Sequence, residues 1–409
     1  MTVQSECDRP VVLVMASTYP RRHGDPEPGF VHELCRRLVG RFQVIALVPD
    51  APGADPSGFL DGVEVVRFHY APRRLQTLVN DGGIVANLKR KPWKWLLLST
   101  FILTQAWCAW RLVRKRRIDV IHAHWLVPQG LIAALLGKLM HRAPPYLVTS
   151  HGADLFALRG HFFDVIKRFV VRNAACVTVV SQAMGNELCR IGADVDKVRV
   201  LSMGVDLSNR FTPDPAVIRS FDEILFVGRL VEKKGLRHLI DALPMIIQGH
   251  PSARLTIAGF GPEDVERRAQ VRRLGLDDVV HFIGAVSQIE LPALYRRVAV
   301  FAAPFVQARS GDQEGLGLVF LEALGCGCPV VMSGLPATRD VLAQTAGCVC
   351  VPPGSSHALA QAIVGVLANP QGSRQGADAC REKVRKLFDW NTVSHSYGDI
   401  LEMCINETA

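Results

Sequence analysis

The sequence predicts an α/β protein made of two doubly wound, parallel-sheet domains in tandem. Short apolar runs of strand length alternate with helical patterns along the whole chain. A turn-rich stretch at 204–215 divides them into two series, and 409 residues suffice for two or three domains with substantial cores. Hydrophobic residues make up 49% and charged residues 21%, which excludes intrinsic disorder and fibrous repeats. Eleven cysteines are too sparse for a disulfide framework, and Glu6 and Asp8 stand where a secretory leader needs a basic flank and an apolar core. A cytoplasmic protein with reduced thiols is expected.

Taken in order, Val11-Val12-Leu13-Val14-Met15 reads as a buried strand, the segment through Gly29 as a loop, and Phe30, Leu34 and Leu38 as one face of a helix. Strands follow at 44–48, 120–121, 146–149 and 177–180, each trailed by a helical or loop segment. After Gly204-Val205-Asp206 and Thr212-Pro213-Asp214-Pro215 a new series begins, with strands at 224–227, 254–258, 279–282, 298–301 and 329–332. The expected division is 1–206, 207–386 and a terminal helix, 387–409, returning to the first domain. Two such sheets in tandem are expected to face a central cleft at the carboxyl ends of their strands, where ligands of this architecture bind.

Two segments of the second half carry chemistry. Gly228-Arg229-Leu230-Val231-Glu232-Lys233-Lys234-Gly235 joins a strand to a helix and presents Arg229 and Lys234 five residues apart, suited to a pair of phosphates. On its own the motif also fits two solvated cations. Glu314-Gly315-Leu316-Gly317-Leu318-Val319-Phe320-Leu321-Glu322 sets two carboxylates eight residues apart. A carboxylate among Leu318 to Leu324 is costly unless it meets donors, and sugar hydroxyls are such donors. An exposed Glu on an amphipathic helix is the plainer alternative.

With these residues in place the chain resembles the retaining glycosyltransferases of family 4, which share the two-domain, Rossmann-like GT-B fold. The Glu314-x7-Glu322 spacing and the 228–235 turn resemble that family's donor-site signatures. Further matches run along the chain: Tyr19-Pro20 with Gly29-Phe30-Val31, His122-Ala123-His124-Trp125, His151-Gly152-Ala153-Asp154, Ser181, Gly204-Val205-Asp206, Ala258-Gly259-Phe260-Gly261-Pro262, Gly327-Cys328-Pro329 and Phe388-Asp389-Trp390. The resemblance implies that Arg229 and Lys234 bind the donor diphosphate, that Glu322 binds the ribose, and that Gly315, Gly317 and Leu318 line the donor site. It also implies that Glu314 and His151 hold the transferred sugar and that the backbone at Gly29 approaches the phosphates. One departure is Ala337, where family members commonly carry a Glu; Asp340 follows one helical turn later. His122 and His124 are read as structural, and Cys326, Cys328, Cys348 and Cys350 lack zinc-site spacing, so no metal is expected.

The net charge of +9 is unevenly spread. Residues 1–200 carry 27 Lys and Arg against 16 Asp and Glu, and the remainder is close to neutral. Residues 67–117 alone hold 12 basic side chains and one acid, Asp81. Lys89, Arg90, Lys91, Trp93 and Lys94 precede, and Trp95 opens, an uncharged run, 95–110, whose 16 residues are too few to span a bilayer. Cations and tryptophans flanking an apolar helix fit contact with an anionic membrane surface or with the acceptor; a core helix with solvated ends is the alternative. No nucleic-acid recognition module accompanies the charge.

The expected activity is metal-independent, retaining transfer of a hexose from a UDP- or GDP-sugar, used as co-substrate with no other cofactor. The acceptor is a hydroxyl of a lipid-linked or other saccharide in polysaccharide or glycolipid synthesis, at the inner membrane face. A sugar-nucleotide epimerase of the same fold and a catalytically silent sugar-nucleotide-binding protein are the alternatives. An oxidoreductase is disfavoured because Ala16-Ser17-Thr18-Tyr19 stands where a dinucleotide glycine motif belongs.

Overall fold

A computed structural model describes residues 9–25, 29–79, 83–342 and 348–407. The chain forms two compact units. One comprises the residues up to 180, 184–201 and the chain from Val393 onward; the other comprises 181–183 and 202–392.

The elements that build the first unit are β1 (Val11–Met15), α1 (Phe30–Leu38), β2 (Gln43–Pro49), β3 (Gly58–Leu60), β4 (Val63–Phe68), α2 (Gly83–Arg90), α3 (Trp95–Lys115), β5 (Val120–His124), α4 (Leu131–Leu139), β6 (Tyr146–Ser150), α5 (Ala153–Phe156), α6 (His161–Asn173), β7 (Cys176–Val179), α7 (Gln182–Arg190) and β8 (Val198–Val200). Its eight strands lie in the order β3-β4-β2-β1-β5-β6-β7-β8, parallel except for β3. Val12 pairs with both Val44 and Val120, so the order reverses between β1 and β5.

The second unit contains β9 (Glu223–Val227), α8 (Leu236–Gly249), β10 (Arg254–Ala258), α9 (Asp264–Arg273), β11 (Val280–Gly284), α10 (Leu291–Arg297), β12 (Val300–Ala303), α11 (Leu318–Gly325), β13 (Val330–Ser333), α12 (Pro336–Leu342), β14 (Cys348–Val351), α13 (Ser356–Ala368) and α14 (Pro370–Phe388). Its sheet is wholly parallel in the order β11-β10-β9-β12-β13-β14, reversing between β9 and β12. Helix α8 turns Leu236, Leu239, Ile240, Leu243 and Ile246 to the core, the spacing of one helical face. They pack with Ile224, Phe226, Leu255 and Ile257 of the sheet. The last helix, α15 (Trp390–Asn406), begins in the second unit and from Val393 belongs to the first.

Strands with continuous Val/Ile/Leu runs are buried on both faces, as parallel strands under helices must be. Four strands lack such a run and were not expected. Strand β4 alternates around Glu64 and Arg67, β3 and β8 have three residues each, and β14 is the partly exposed Cys348-Val349-Cys350-Val351.

Two motifs far apart in sequence meet in the second unit. The Val205 N–H donates to Phe388 O at 2.8 Å and the Trp390 N–H donates to Val205 O at 3.1 Å. The buried Asp389 carboxylate accepts the Leu207 N–H (3.1 Å) and the Ser208 hydroxyl (2.9 Å). Gly204 leaves room for the indole, since a Cβ there would lie 2.5 Å from Trp390 Cδ2. Overpacking this contact with Gly204→Ala should lower stability by about 1–3 kcal/mol, read as a fall in melting temperature. Wild-type melting would show that the indole can shift aside.

Candidate active site

In a doubly wound sheet the loops on either side of the order reversal splay apart and leave a crevice at the carboxyl ends of the strands. In the second unit these are the turn 228–235 after β9 and the segment 304–317 after β12. Gly235 has φ +71°, and a Cβ on it would lie 1.7 Å from Pro304 O, so the turn presses directly on the end of β12. That contact seats Lys234 with its Nζ 4.8 Å above the Phe305 ring and 2.8 Å from Glu314 Oε2. The two lysines of the turn diverge: Lys233 pairs with Asp312 at 3.2 Å. Arg229 is half-buried and near enough for its charge to act on Glu314.

Gly317 takes φ +89° at the start of α11, where a Cβ would come within 2.7 Å of the Phe305 ring. Gly315, Leu316 and Gly317 are buried and Leu318 half-buried, and the first turn of α11 starts four residues after Glu314. Glu322 lies one turn further in, 6% exposed, and accepts a 3.0 Å hydrogen bond from the Tyr295 hydroxyl.

The carboxylates differ electrostatically. Burial alone would raise the pKa of Glu314, but the Lys234 ammonium, backed by Lys233 and Arg229, outweighs it and holds the group at about 2. Burial pushes Glu322 up to about 7, against the hydrogen bond from the Tyr295 hydroxyl, the charges of Lys234 and Arg210 and a side-chain hydrogen bond from Gln288. One carboxylate is charged at neutral pH and the other titrates near it.

In the first unit, His151 follows β6 and is half-buried. The buried Asp154 carboxylate fixes this corner, accepting the Leu126 N–H (2.7 Å), the Ser150 hydroxyl (3.0 Å) and the His151 N–H (3.3 Å). The rings of Phe30 and Trp125 stand 4.9 and 5.0 Å from the His151 ring. Its Nε2 meets His124 Nδ1 at 3.0 Å, and His122 Nε2 meets Thr149 Oγ1 at 2.8 Å. Gly29 precedes α1 with ordinary negative φ, and a Cβ there would meet only Pro20, at 3.6 Å, so sterics do not require glycine.

Among the described residues no group of three or more His, Cys, Asp or Glu is placed to hold a metal ion. Cys326 and Cys328 are buried at the end of α11 and Cys348 and Cys350 lie on β14. Ala337 is buried, and the Asp340 side chain lies outside the described residues.

The basic segment requires two corrections. Lys94, grouped by the sequence with the surface cations, is 4% exposed and donates to Thr77 O (2.6 Å) and Asn87 Oδ1 (2.8 Å). Burial is tolerated because the ammonium finds acceptors there. Helix α3 also outruns the uncharged stretch: with the turn at Pro92–Lys94 it is long and apolar enough to cross a membrane, so the length argument fails. It is nevertheless two-sided. Leu97, Phe101, Gln105 and Ala109 are buried, Phe101 packing 5.1 and 5.3 Å from Phe68 and Tyr70. Trp95, Leu96, Leu103 and Trp107 are exposed, Leu96 at 75%. Lys91 and Trp93 are exposed; the side chains of Lys89 and Arg90 lie outside the described residues.

Sequence reasoning missed Tyr295, Phe305 and His124 as partners of the site. Tyr295 is 27 residues from Glu322 and nothing local links them. The signals for His124 were the His-x-His alternation, which puts two imidazoles on one strand face, and the resemblance of His122-Ala123-His124-Trp125 to the family, but it was read as structural.

The chain matches the family described as "Glycosyl transferases group 1" over residues 222–369 and "Glycosyl transferase 4-like domain" over residues 30–204. It is 29% identical over 296 residues to a glycogen synthase of Mycobacterium tuberculosis, covering 69% of this chain and 68% of that one. It is 26% identical over 406 residues to a GDP-mannose-dependent alpha-(1-6)-phosphatidylinositol monomannoside mannosyltransferase of the same species, covering 95% and 97%. The fold matches sucrose-phosphate synthase from Thermosynechococcus elongatus with a TM-score of 0.77 at 22% identity, over 98% of this chain and 100% of that one.

The raised Glu322 pKa has a consequence for stability. Unfolded, the carboxyl ionises near 4.5, its ordinary value, and folded only near 7, so between these values the native state binds the extra proton and stability falls as pH rises. The span corresponds to about 3 kcal/mol. Glu322→Gln should therefore gain that much relative to wild type between pH about 4.5 and about 8, measured by denaturant unfolding. Parallel pH profiles for the two proteins would show Glu322 ionised throughout.

Proposed function

The chain belongs to the group 1 glycosyl transferases of GT-B fold, and from that premise we propose that it transfers a hexose, with retention and without a divalent metal, from a UDP- or GDP-sugar to a hydroxyl of a lipid-linked saccharide. That it is a glycosyltransferase using nucleotide-sugar donors, among relatives in polysaccharide and glycolipid synthesis, follows from the family. The rest is our reading.

One observation carries the reading: Lys234, seated on Phe305 by the Gly235 contact, stands 2.8 Å from Glu314 at the start of α11. A donor diphosphate beside this pair draws on Lys234, Arg229 and the N–H groups near Gly317, which together stabilise the negative charge that grows as the anomeric C–O bond breaks. This fixed positive charge performs the neutralisation that a divalent ion performs elsewhere. Glu314, relieved of part of its pairing, accepts from hydroxyls of the transferred sugar. Glu322, buried one turn further along α11, accepts from the ribose diol. His151 and Gly29 are assigned to the sugar and to the phosphates. Retention follows if the acceptor oxygen bonds the anomeric carbon on the face the diphosphate leaves, its proton passing to the departing phosphate oxygen. The GDP-mannose dependence of one full-length relative makes a GDP-sugar the first donor to try and UDP-glucose the second.

The exposed apolar side of α3 supports a peripheral position on the inner membrane face. Trp95, Leu96, Leu103 and Trp107 line it, Trp107 stacks on Trp110 at 4.8 Å, and Arg111, Arg114 and Lys115 follow. An apolar face bordered by cations without acids complements anionic lipid.

Lys234→Ala should reduce kcat for transfer or donor hydrolysis by about 10²- to 10³-fold. Glu322→Gln should weaken binding of free GDP or UDP by calorimetry, and Glu314→Gln should spare it. Equal loss of nucleotide affinity in both carboxylate variants would refute the division between ribose and sugar. For the membrane, replacing Lys91, Arg111, Arg114 and Lys115 by Gln should weaken partitioning to anionic vesicles by up to about 4 kcal/mol, at about 1 kcal/mol per cation. Melting should be nearly unaltered. Salt-independent binding would remove the role of the cations and leave the apolar side alone to make the contact, and no binding by wild type would leave α3 a purely structural helix.

A further inference from the structure

His151 is held at its main chain by Asp154 and around its ring by Phe30, Trp125 and His124. The His124 and His151 rings are almost coplanar, 9° apart with centroids 5.2 Å apart, so the 3.0 Å contact between His124 Nδ1 and His151 Nε2 is an edge-to-edge hydrogen bond in the plane of both rings. One hydrogen lies on that line, and which ring supplies it fixes the tautomer of both.

Burial lowers both imidazoles, His151 to about 3 and His124 well below its ordinary value, so both rings are neutral at working pH. If His151 supplied the hydrogen, His124 would carry its own on Nε2. That atom is buried and has no hydrogen-bond partner among the described residues. If His124 supplies it, the same atom is a bare lone pair. A buried N–H without an acceptor is rarer and more costly than an unused acceptor. The pairing therefore selects Nδ1–H on both histidines.

We propose that His124 is a positioning residue: it donates from Nδ1 to His151 Nε2, fixing His151 as the Nδ1–H tautomer, a hydrogen-bond donor toward an oxygen of the transferred sugar. Its consequence for transfer rests on the assignment of His151 to the sugar; the tautomer itself does not. In this state His151 offers a proton and no lone pair, so it cannot act as the base that deprotonates an acceptor.

The test uses the full-length protein labelled with ¹⁵N-histidine, the His151 signals being identified by their loss in His151→Gln. Long-range ¹H–¹⁵N correlation spectra near neutral pH should show His151 Nδ1 protonated and Nε2 bare. His124→Asn, whose amide can replace the Nδ1–H donor, should keep that pattern. His124→Phe should move His151 toward the Nε2–H form and lower kcat by about 10- to 100-fold, with KM for GDP-mannose or UDP-glucose unchanged. An Nε2–H pattern in wild type, or an unchanged pattern in His124→Phe, would overturn the proposal. Should His124→Phe fail to fold, the wild-type and His124→Asn spectra still decide it. Full turnover by His151→Gln with the expected spectra would instead remove the sugar assignment and leave the tautomer standing.

Discussion

The site of the second unit depends on how closely the turn after β9 approaches the end of β12. Gly235 with φ +71° admits the Pro304 carbonyl where any side chain would collide. That approach brings Lys234 over Phe305 and against Glu314, and Phe305 in turn requires glycine at 317, the start of α11. Arg229, Lys234, the helix terminus and both carboxylates are thus arranged by a few backbone contacts at the order reversal of one sheet. The charges inherit their placement from sterics, which is why a site with a buried carboxylate and two cations can exist before any ligand arrives to compensate it.

The parts of this arrangement visible in the sequence are those that local pattern encodes. Strands such as Val11–Met15 and Gln43–Pro49 announce themselves because burial on both faces demands uninterrupted apolar runs. β4 does not, because it alternates, and β14 does not, because cysteines can equally belong to a core, a strand or a metal. Glu314 and Glu322 stand out through spacing and resemblance. Tyr295, which keeps Glu322 from being a bare buried carboxyl, is joined to it only by folding. Lys94 is the instructive failure. In a run of cations and tryptophans it reads as solvated, and only the convergence of Thr77 O and Asn87 Oδ1 makes its burial tolerable.

Helix α3 shows how one segment can satisfy two environments. Its stripe of Leu97, Phe101, Gln105 and Ala109 is anchored to the first sheet, the amide of Gln105 accepting from Gln129 at 3.1 Å. Its opposite side carries large apolar groups that no described residue of the unit buries. Composition alone sums the two sides and reports a helix apolar throughout. The packing separates an internal face, bound to the fold, from an external one.

The path of the last helix bears on how the protein is made. Tyr397 stacks on His122 with ring centroids 5.6 Å apart and donates to Leu201 O at 3.1 Å, while Asp399 and Glu402 pair with Arg41 at 2.9 and 2.7 Å. These residues complete the first unit, yet they leave the ribosome after the whole of the second. During synthesis, which normally lets an N-terminal domain fold first, the first sheet therefore waits with one face of His122 uncovered. Its closure must await the residues from Val393 onward, and nascent or prematurely terminated chains that stop short of them carry an unfinished first unit.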